Sequence, residues 1–154
     1  MNLLPTTLLL SLFSTPLTTA TLITYDAGYD DPNRPLTAIA CSTGPNGLMT
    51  NHNWNFQSEI PTFPFMGGSA DIETWNSEFC GQCYQVTYGE NTVYVLGIDR
   101  SAKGLNLSKA AMDALTRGMA VQEGTLDAVV VRVGSEMCGL GWKRRRGLGK
   151  EVNA

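Results

Sequence analysis

Four cysteines that follow an apolar leader constrain this chain more than any other feature. They are Cys41, Cys80, Cys83 and Cys138. The leader has a short apolar stretch at residues 8–13, followed by small and polar residues that end in Ala20. A bilayer span needs roughly 20 apolar residues, so we interpret residues 1–20 as a secretory signal peptide. Secretion places the cysteines in an oxidising space, where thiols become disulfides.

The pairing of these cysteines stays open at this point. A domain of this size has a modest core, which crosslinks help to stabilise. Four cysteines allow three connectivities, and the sequence alone does not choose among them. A Cys80–Cys83 bridge would close a very small loop and constrain little. Bridges Cys41–Cys80 and Cys83–Cys138 would close long loops, worth about 4 kcal/mol each in the chain-entropy account.

The Cys80-Gly81-Gln82-Cys83 segment has two alternatives to a structural disulfide, a redox centre and a zinc site. A redox pair needs a helix N-terminus to stabilise its thiolate, but this segment precedes a predicted strand. Structural zinc needs a second close pair or histidine ligands, and His52 is the only histidine. We therefore predict structural disulfides, with no metal and no cofactor.

Charge divides the chain into two parts. Residues 21–138 hold six Lys and Arg against thirteen Asp and Glu, whereas residues 139–154 hold five against one. The acidic part argues against a nucleic-acid partner. Residues 141–154 are interpreted as a basic, disordered tail, and both an adhesion segment and a gene-model artefact stay open for it. No second apolar stretch is long enough for a membrane span, so we expect a soluble product with one domain at residues 21–140.

Most of the predicted secondary structure is strand. β-Branched and aromatic residues indicate strands at 21–25, 36–41, 83–88, 92–98 and 128–133. Ser108 is placed to cap a helix that runs to Arg117 and stops at Gly118. The long irregular region at 44–68 is typical of a functional or pinned segment.

Seven short motifs, taken in order, carry a resemblance. Together they resemble the cerato-platanin family of small secreted fungal proteins across residues 21–138. The motifs are Thr24-Tyr25-Asp26, Ala40-Cys41-Ser42, Asn46-Gly47-Leu48-Met49, Ile60-Pro61-Thr62-Phe63-Pro64 with Gly67-Gly68, Asp71-Ile72-Glu73-Thr74-Trp75-Asn76-Ser77, Cys80-Gly81-Gln82-Cys83 and Gly97-Ile98-Asp99.

The resemblance implies a fold and a function. The fold is mainly β with short helices, a six-stranded double-psi β-barrel with disulfides Cys41–Cys80 and Cys83–Cys138. The implied function is binding of chitin or N-acetylglucosamine oligomers, with cellulose as a second candidate, and expansin-like loosening of polysaccharide without hydrolysis. The family also implies an extracellular, wall-associated monomer that a plant host recognises as an elicitor of defence.

Asp99 is the leading candidate for a site residue. It follows an apolar strand, where a carboxylate can accept hydrogen bonds from sugar hydroxyls. The alternative is an Asx-turn that caps the next loop; the resemblance favours the carbohydrate groove. By residue type and by resemblance we add Tyr25, Asp26, Ser42, Trp75 and Asn106 to the groove. Tyr25 and Trp75 can equally be packing residues.

Two rival functions stay open. A weak glycoside hydrolase needs a second carboxylate at a defined distance from Asp99, for which Asp26, Asp71 and Glu73 are candidates. A surface-active film-forming protein needs exposed apolar surface, and the segment Phe63-Pro64-Phe65-Met66 is predicted to supply it. The chain departs from the family pattern in two places: Arg100-Ser101-Ala102-Lys103 adds positive charge after Asp99, and a tail follows Cys138.

Overall fold

Six strands close into a barrel in the computed structural model, which describes residues 19–141. Around the barrel the order is β1-β5-β2-β4-β3-β6. The strand β1 pairs in parallel with β5, β2 pairs in parallel with β4, and the other four pairings are antiparallel. The predicted six-stranded double-psi barrel is confirmed. The strands are Ala20–Tyr25 (β1), Met66–Ser69 (β2), Cys83–Tyr88 (β3), Asn91–Arg100 (β4), Leu105–Leu107 (β5) and Leu126–Val133 (β6).

Two apolar cores lie on opposite sides of the barrel wall. The inner core fills the barrel and packs against the helix α2, Lys109–Thr116, through Ala111, Met112 and Leu115. The outer core lies between the barrel wall and the loops that cross it. It contains Leu36, Ile39, Leu48, Ile60, Met66, Ile72, Leu96, Ile98 and both disulfides.

The predicted helix after Ser108 is confirmed. The Ser108 hydroxyl accepts a hydrogen bond from the Ala111 N–H, and Arg117 ends the helix in the left-handed region at φ 58°. Asp30 adds a second cap from another segment, because its carboxylate accepts hydrogen bonds from the Lys109 and Ala110 N–H groups. Two shorter helices are Leu48–His52 (α1) and Ala120–Glu123 (α3).

Both disulfides implied by the resemblance are present. Cys41 pairs with Cys80 at a Cα–Cα distance of 5.3 Å, and Cys83 pairs with Cys138 at 5.7 Å. No cysteine is free, so the CxxC segment is not a redox pair. The Cys41–Cys80 bond joins two outer loops, and the Cys83–Cys138 bond ties the 3-10 helix Ser135–Cys138 to β3.

Several predicted elements need correction. The strand predicted at 36–41 is wrong: the chain forms a 3-10 helix at Leu36–Ala38 and then turns. The region 44–68 contains α1, a 3-10 helix at Gln57–Glu59 and the start of β2, so it is not one loop. The predicted strands at 83–88 and 92–98 are confirmed as an antiparallel pair, β3 and β4, with β4 beginning at Asn91, and β6 begins two residues earlier than predicted.

The apolar segment at 63–66 is not exposed as predicted. Met66 is fully buried in the outer core, with Phe63 packed against it, while Phe65 packs against the inner core. The feature expected to support film formation is therefore largely internal. Most of the predicted signal peptide, residues 1–18, and nearly all of the predicted tail, residues 142–154, lie outside the described residues. Within residues 19–141, no helix has the length and apolar character to cross a membrane.

Candidate carbohydrate-binding groove

A β-bulge decides which way Asp99 faces. Gly67 pairs with Gly97, but the next residue, Gly68, pairs with Asp99, so β4 carries one extra residue at Ile98. Side chains alternate across a strand, and a bulge shifts that alternation by one position. Ile98 packs in the outer core, and the bulge brings Asp99 to the outer face beside it rather than into the barrel.

Four strands align polar positions with Asp99 in one row. Gly68 of β2 pairs with Asp99 on one side and with Asn106 of β5 on the other. Asn106 in turn pairs with Thr24 of β1. With strands about 4.8 Å apart, the Cα atoms of Asp99 and Asn106 are separated by about 10 Å. We name this row, Asp99, Gly68, Asn106 and Thr24, the Asp99–Asn106 groove.

Glycine is required at the centre of the row. A Cβ on Gly68 would lie 2.6 Å from the Arg100 carbonyl oxygen, and one on Gly67 would lie 2.2 Å from that of Asn106. Neighbouring backbones therefore approach too closely for any side chain. The backbone of Arg100 and Ser101 lies against the row at Gly68.

Asp99 is held by three donors, two of which come from other segments of the chain. Its Oδ1 accepts hydrogen bonds from two backbone N–H groups, that of Ala40 at 2.9 Å and that of the adjacent residue Arg100 at 2.8 Å. Its Oδ2 accepts one from the Tyr29 hydroxyl at 3.1 Å. The Ser101 N–H, the donor of an Asx-turn, binds the Ser69 carbonyl instead. The Asx-turn alternative for Asp99 is therefore wrong. The Asp99 side chain is 14% exposed, so it keeps limited contact with solvent.

Tyr29 and Arg34 complete the polar cluster around Asp99. Burial, together with the Asp99 carboxylate, raises the pKa of Tyr29 far above its ordinary value, so its hydroxyl stays a donor at physiological pH. The Arg34 guanidinium stacks over the Tyr29 ring at 5.0 Å and lies 4.0 Å from Asp99 Oδ2.

On the far side of the groove, Asn106 is oriented by its neighbour. Its Oδ1 accepts a hydrogen bond from the Thr24 hydroxyl at 2.9 Å. That contact leaves the Nδ2 amide as the group available to a ligand. Acceptor and donor groups thus face each other across Gly68.

The other four predicted site residues lie in different environments. Tyr25 packs against the inner core, on the opposite face from Thr24 and Asn106. Asp26 forms an Asx-turn, accepting a hydrogen bond from the Gly28 N–H at 2.7 Å. Ser42 is nearly buried. Trp75 is 55% exposed, and its Nε1 donates to the Thr43 hydroxyl at 3.3 Å.

Asp71 belongs to a different network. Partial burial raises the pKa of Asp71, but hydrogen bonds from Arg132 and Tyr84 outweigh it and hold that pKa below its ordinary value. The Arg132 guanidinium binds both carboxylate oxygens, at 2.8 and 2.9 Å. Asp71 and Arg132 therefore form a structural ion pair.

Sequence reasoning missed Tyr29, Arg34 and the role of Gly68. The paired glycines at 67–68 were a usable signal, because adjacent glycines in a strand indicate a close backbone approach. Nothing local marked Tyr29 or Arg34, which reach Asp99 from a loop some 70 residues earlier in the chain.

A separate cavity of about 410 Å³ lies beside the outer core. It is lined by residues including Leu48, His52, Gly81, Glu136 and Leu140. It contains none of the predicted sugar-binding residues. In the part of the chain from 19 to 141, no group of three or more His, Cys, Asp or Glu side chains could hold a metal ion.

A six-stranded double-psi barrel with two disulfides and a polar groove on its outer face defines a class of small crosslinked barrel proteins. The family model for cerato-platanin matches residues 21–140. A heat-stable 19 kDa antigen of Coccidioides posadasii is 43% identical over 127 residues, covering 82% of this chain and 86% of the relative. The chain belongs to the cerato-platanin family.

Solved structures agree with this assignment. Cerato-platanin 1 from M. perniciosa matches with a TM-score of 0.74 at 40% identity, covering 77% of this chain and 99% of the other. The solution structure of the fungal elicitor Cerato-Platanin matches with a TM-score of 0.67 at 32% identity, covering 76% and 95%. The resemblance found in the sequence motifs is confirmed.

Proposed function

We propose that this protein is secreted and binds N-acetylglucosamine oligomers of chitin in the Asp99–Asn106 groove without cleaving them. The observation that carries the proposal is the alignment of Asp99 and Asn106 across Gly68. Sugar hydroxyls both donate and accept hydrogen bonds, so a carboxylate and an amide aligned in one row on the outer face suit them. Two disulfides support an extracellular location.

Trp75 extends the proposed site beyond one sugar ring. Ala40 donates to Asp99, and Thr43 accepts from Trp75, so these two contacts are made three positions apart in one loop. Three Cα–Cα steps span at most about 11 Å. The exposed indole is then a stacking face for a second sugar, which favours oligomers over monomers.

The contacts of the candidate second carboxylates argue against hydrolysis. A glycosidase needs one carboxyl group with a raised pKa as general acid. Asp71 is paired with Arg132 and its pKa is lowered, Asp26 caps its own turn, and Glu73 is exposed. These contacts support a binding groove and give no support to a catalytic pair.

The binding test compares Asn106→Ala with the parent and with Gln122→Ala, an exposed amide on α3 that serves as the control. Titration with an N-acetylglucosamine tetramer should show about tenfold weaker binding for Asn106→Ala and no change for the control, since a groove hydrogen bond of about 1.4 kcal/mol is one decade in affinity. Equal affinity of all three proteins would contradict the groove as the binding site. Soluble reducing sugar released by the parent from chitin or cellulose would instead favour the hydrolase.

An elicitor role is proposed from the family. One matched structure is described as a fungal elicitor, and we infer the same role for this chain toward a plant host. Infiltrating the purified protein into leaves should trigger a defence response that persists in Asn106→Ala if recognition is independent of sugar binding. The absence of any response to the parent would contradict the role.

A further inference from the structure

A three-quarters-buried arginine with unused hydrogen-bond donors lies beside the groove. The Arg34 side chain is 24% exposed, and its Nη2 is 4.0 Å from Asp99 Oδ2, which is too long for a hydrogen bond. A guanidinium carries five N–H donors. Within residues 19–141, its contacts are this ion pair and the face of Tyr29. The Arg34 nitrogens are not among the buried polar atoms that lack a partner, so they keep contact with solvent. Their unused N–H groups are therefore accessible to a ligand that supplies an acceptor.

The charges around Arg34 restrict what that ligand can be. A methyl group added to Gly28 would lie 3.0 Å from Arg34 Nη1 and 3.1 Å from Asp26 Oδ1. The guanidinium therefore lies near two carboxylates, Asp26 and Asp99. A cationic sugar would be repelled by the charge of Arg34, and a uronate would be repelled by the charges of Asp26 and Asp99. A neutral group with an acceptor next to a donor fits both charges.

We propose that Arg34 is the specificity-determining residue that recognises the N-acetyl group. This inference rests on the proposed function of the groove and deepens it. The Arg34 N–H groups donate to the acetamido carbonyl oxygen, while Asp99 accepts a hydrogen bond from the amide N–H or a neighbouring hydroxyl. Stacking on Tyr29 holds the guanidinium plane in position. Acetylated oligomers are thereby preferred over glucose oligomers and over deacetylated, cationic ones.

The test measures the affinities of four tetramers, of N-acetylglucosamine, glucosamine with protonated amines, glucose and galacturonate, at one ionic strength. Arg34→Gln should bind the N-acetylglucosamine tetramer about tenfold more weakly and the glucose tetramer within twofold of the parent, because only the acetamido contact is lost. Arg34→Lys keeps the charge but lacks the planar fork, and should lose several-fold. Arg100→Gln removes a neighbouring charge without touching Tyr29 and should keep the parent's preference.

The outcomes separate this inference from the proposed function. A parent that fails to bind the N-acetylglucosamine tetramer contradicts both. A parent that binds it, with an unchanged preference in Arg34→Gln and Arg34→Lys, contradicts the Arg34 role alone. If the parent binds the galacturonate tetramer more tightly than the N-acetylglucosamine tetramer, the Arg34 role is also contradicted, since Arg34 would then recognise a carboxylate. If Arg34→Gln does not fold, the Arg34→Lys result decides.

Discussion

At the residue scale, the groove depends on how Tyr29 and Ala40 hold Asp99. A carboxylate that accepts three hydrogen bonds is fixed in one orientation, and Asp99 does so while keeping limited contact with solvent. Because its partners come from two other segments, Asp99 also stabilises the fold, and an alanine substitution there would mix binding with stability.

Tyr29→Phe isolates one of these hydrogen bonds. Removing the hydroxyl should lower the free energy of unfolding by about 1.5 kcal/mol, the lower end for a bond to a charged acceptor. Urea unfolding measures this change. Tyr94→Phe is the control. The Tyr94 side chain also packs on the outer core, but within residues 19–141 its hydroxyl makes no hydrogen bond. Equal destabilisation of the two variants would show that the Asp99 contact contributes nothing.

The Asp71–Arg132 pair should make stability depend on pH at the acid end. The folded-state pKa of Asp71 lies below its unfolded value, so the ionised form favours folding at neutral pH. That contribution is lost as the pH falls through the folded pKa. Arg132→Gln should cost about 1 kcal/mol at pH 7, limited by the half-exposed arginine, and less at pH 2.

Urea unfolding at both pH values measures the Arg132→Gln effect. Glu90→Gln breaks a fully exposed ion pair with Arg117 and should change stability little at either pH. A loss in Arg132→Gln that is the same at pH 2 and pH 7 would contradict the electrostatic account.

At the scale of elements, the strands with strong β-forming residues were predictable and the glycine strand was not. β1, β3, β4 and β6 are rich in β-branched or aromatic residues, and α2 has a cap and a stop. Met66–Ser69 carries two glycines and owes its strand pairing to neighbours on both sides. The segment 36–41 has apolar residues in a strand-like pattern, yet Leu36 and Ile39 instead anchor the outer core from a 3-10 turn and its end.

Gly68→Ala tests the close approach at the groove floor. Its methyl group would meet the Arg100 carbonyl oxygen at 2.6 Å, so we expect a loss of about 1–3 kcal/mol from the backbone shift. Gly141→Ala is the matched control, because no atom lies within 4 Å of an added methyl group there. Thermal or urea unfolding that ranks the two variants as equal would contradict the packing described for β2.

At the scale of the whole molecule, the closure of the barrel and the two disulfides stabilise different parts of the protein. The closed barrel leaves no unpaired strand edge, and the disulfides hold the outer loops that supply Tyr29, Ala40 and Trp75. The family and the fold could be predicted from ordered motifs. The site could be predicted only in part, because Asp99 and Asn106 lie on strands whereas Tyr29 and Arg34 are brought in by the fold of a loop.

Replacing Cys83 and Cys138 together by serine should lower the free energy of unfolding by about 4 kcal/mol, since the bond closes a 55-residue separation. Chemical denaturation measures the loss, and thiol titration of the parent should find no free cysteine. A double variant as stable as the parent would show that packing alone holds the outer core.

The most direct test of the carbohydrate groove is an NMR titration of the parent with an N-acetylglucosamine tetramer. The account predicts that the largest amide shifts occur at Ala40, Gly68, Asp99 and Asn106, together with the Trp75 indole. The α2–α3 side of the barrel should change little. Shifts confined to the cavity around Leu48 and Gly81, or no shifts at saturating oligomer, would contradict the groove as the binding site.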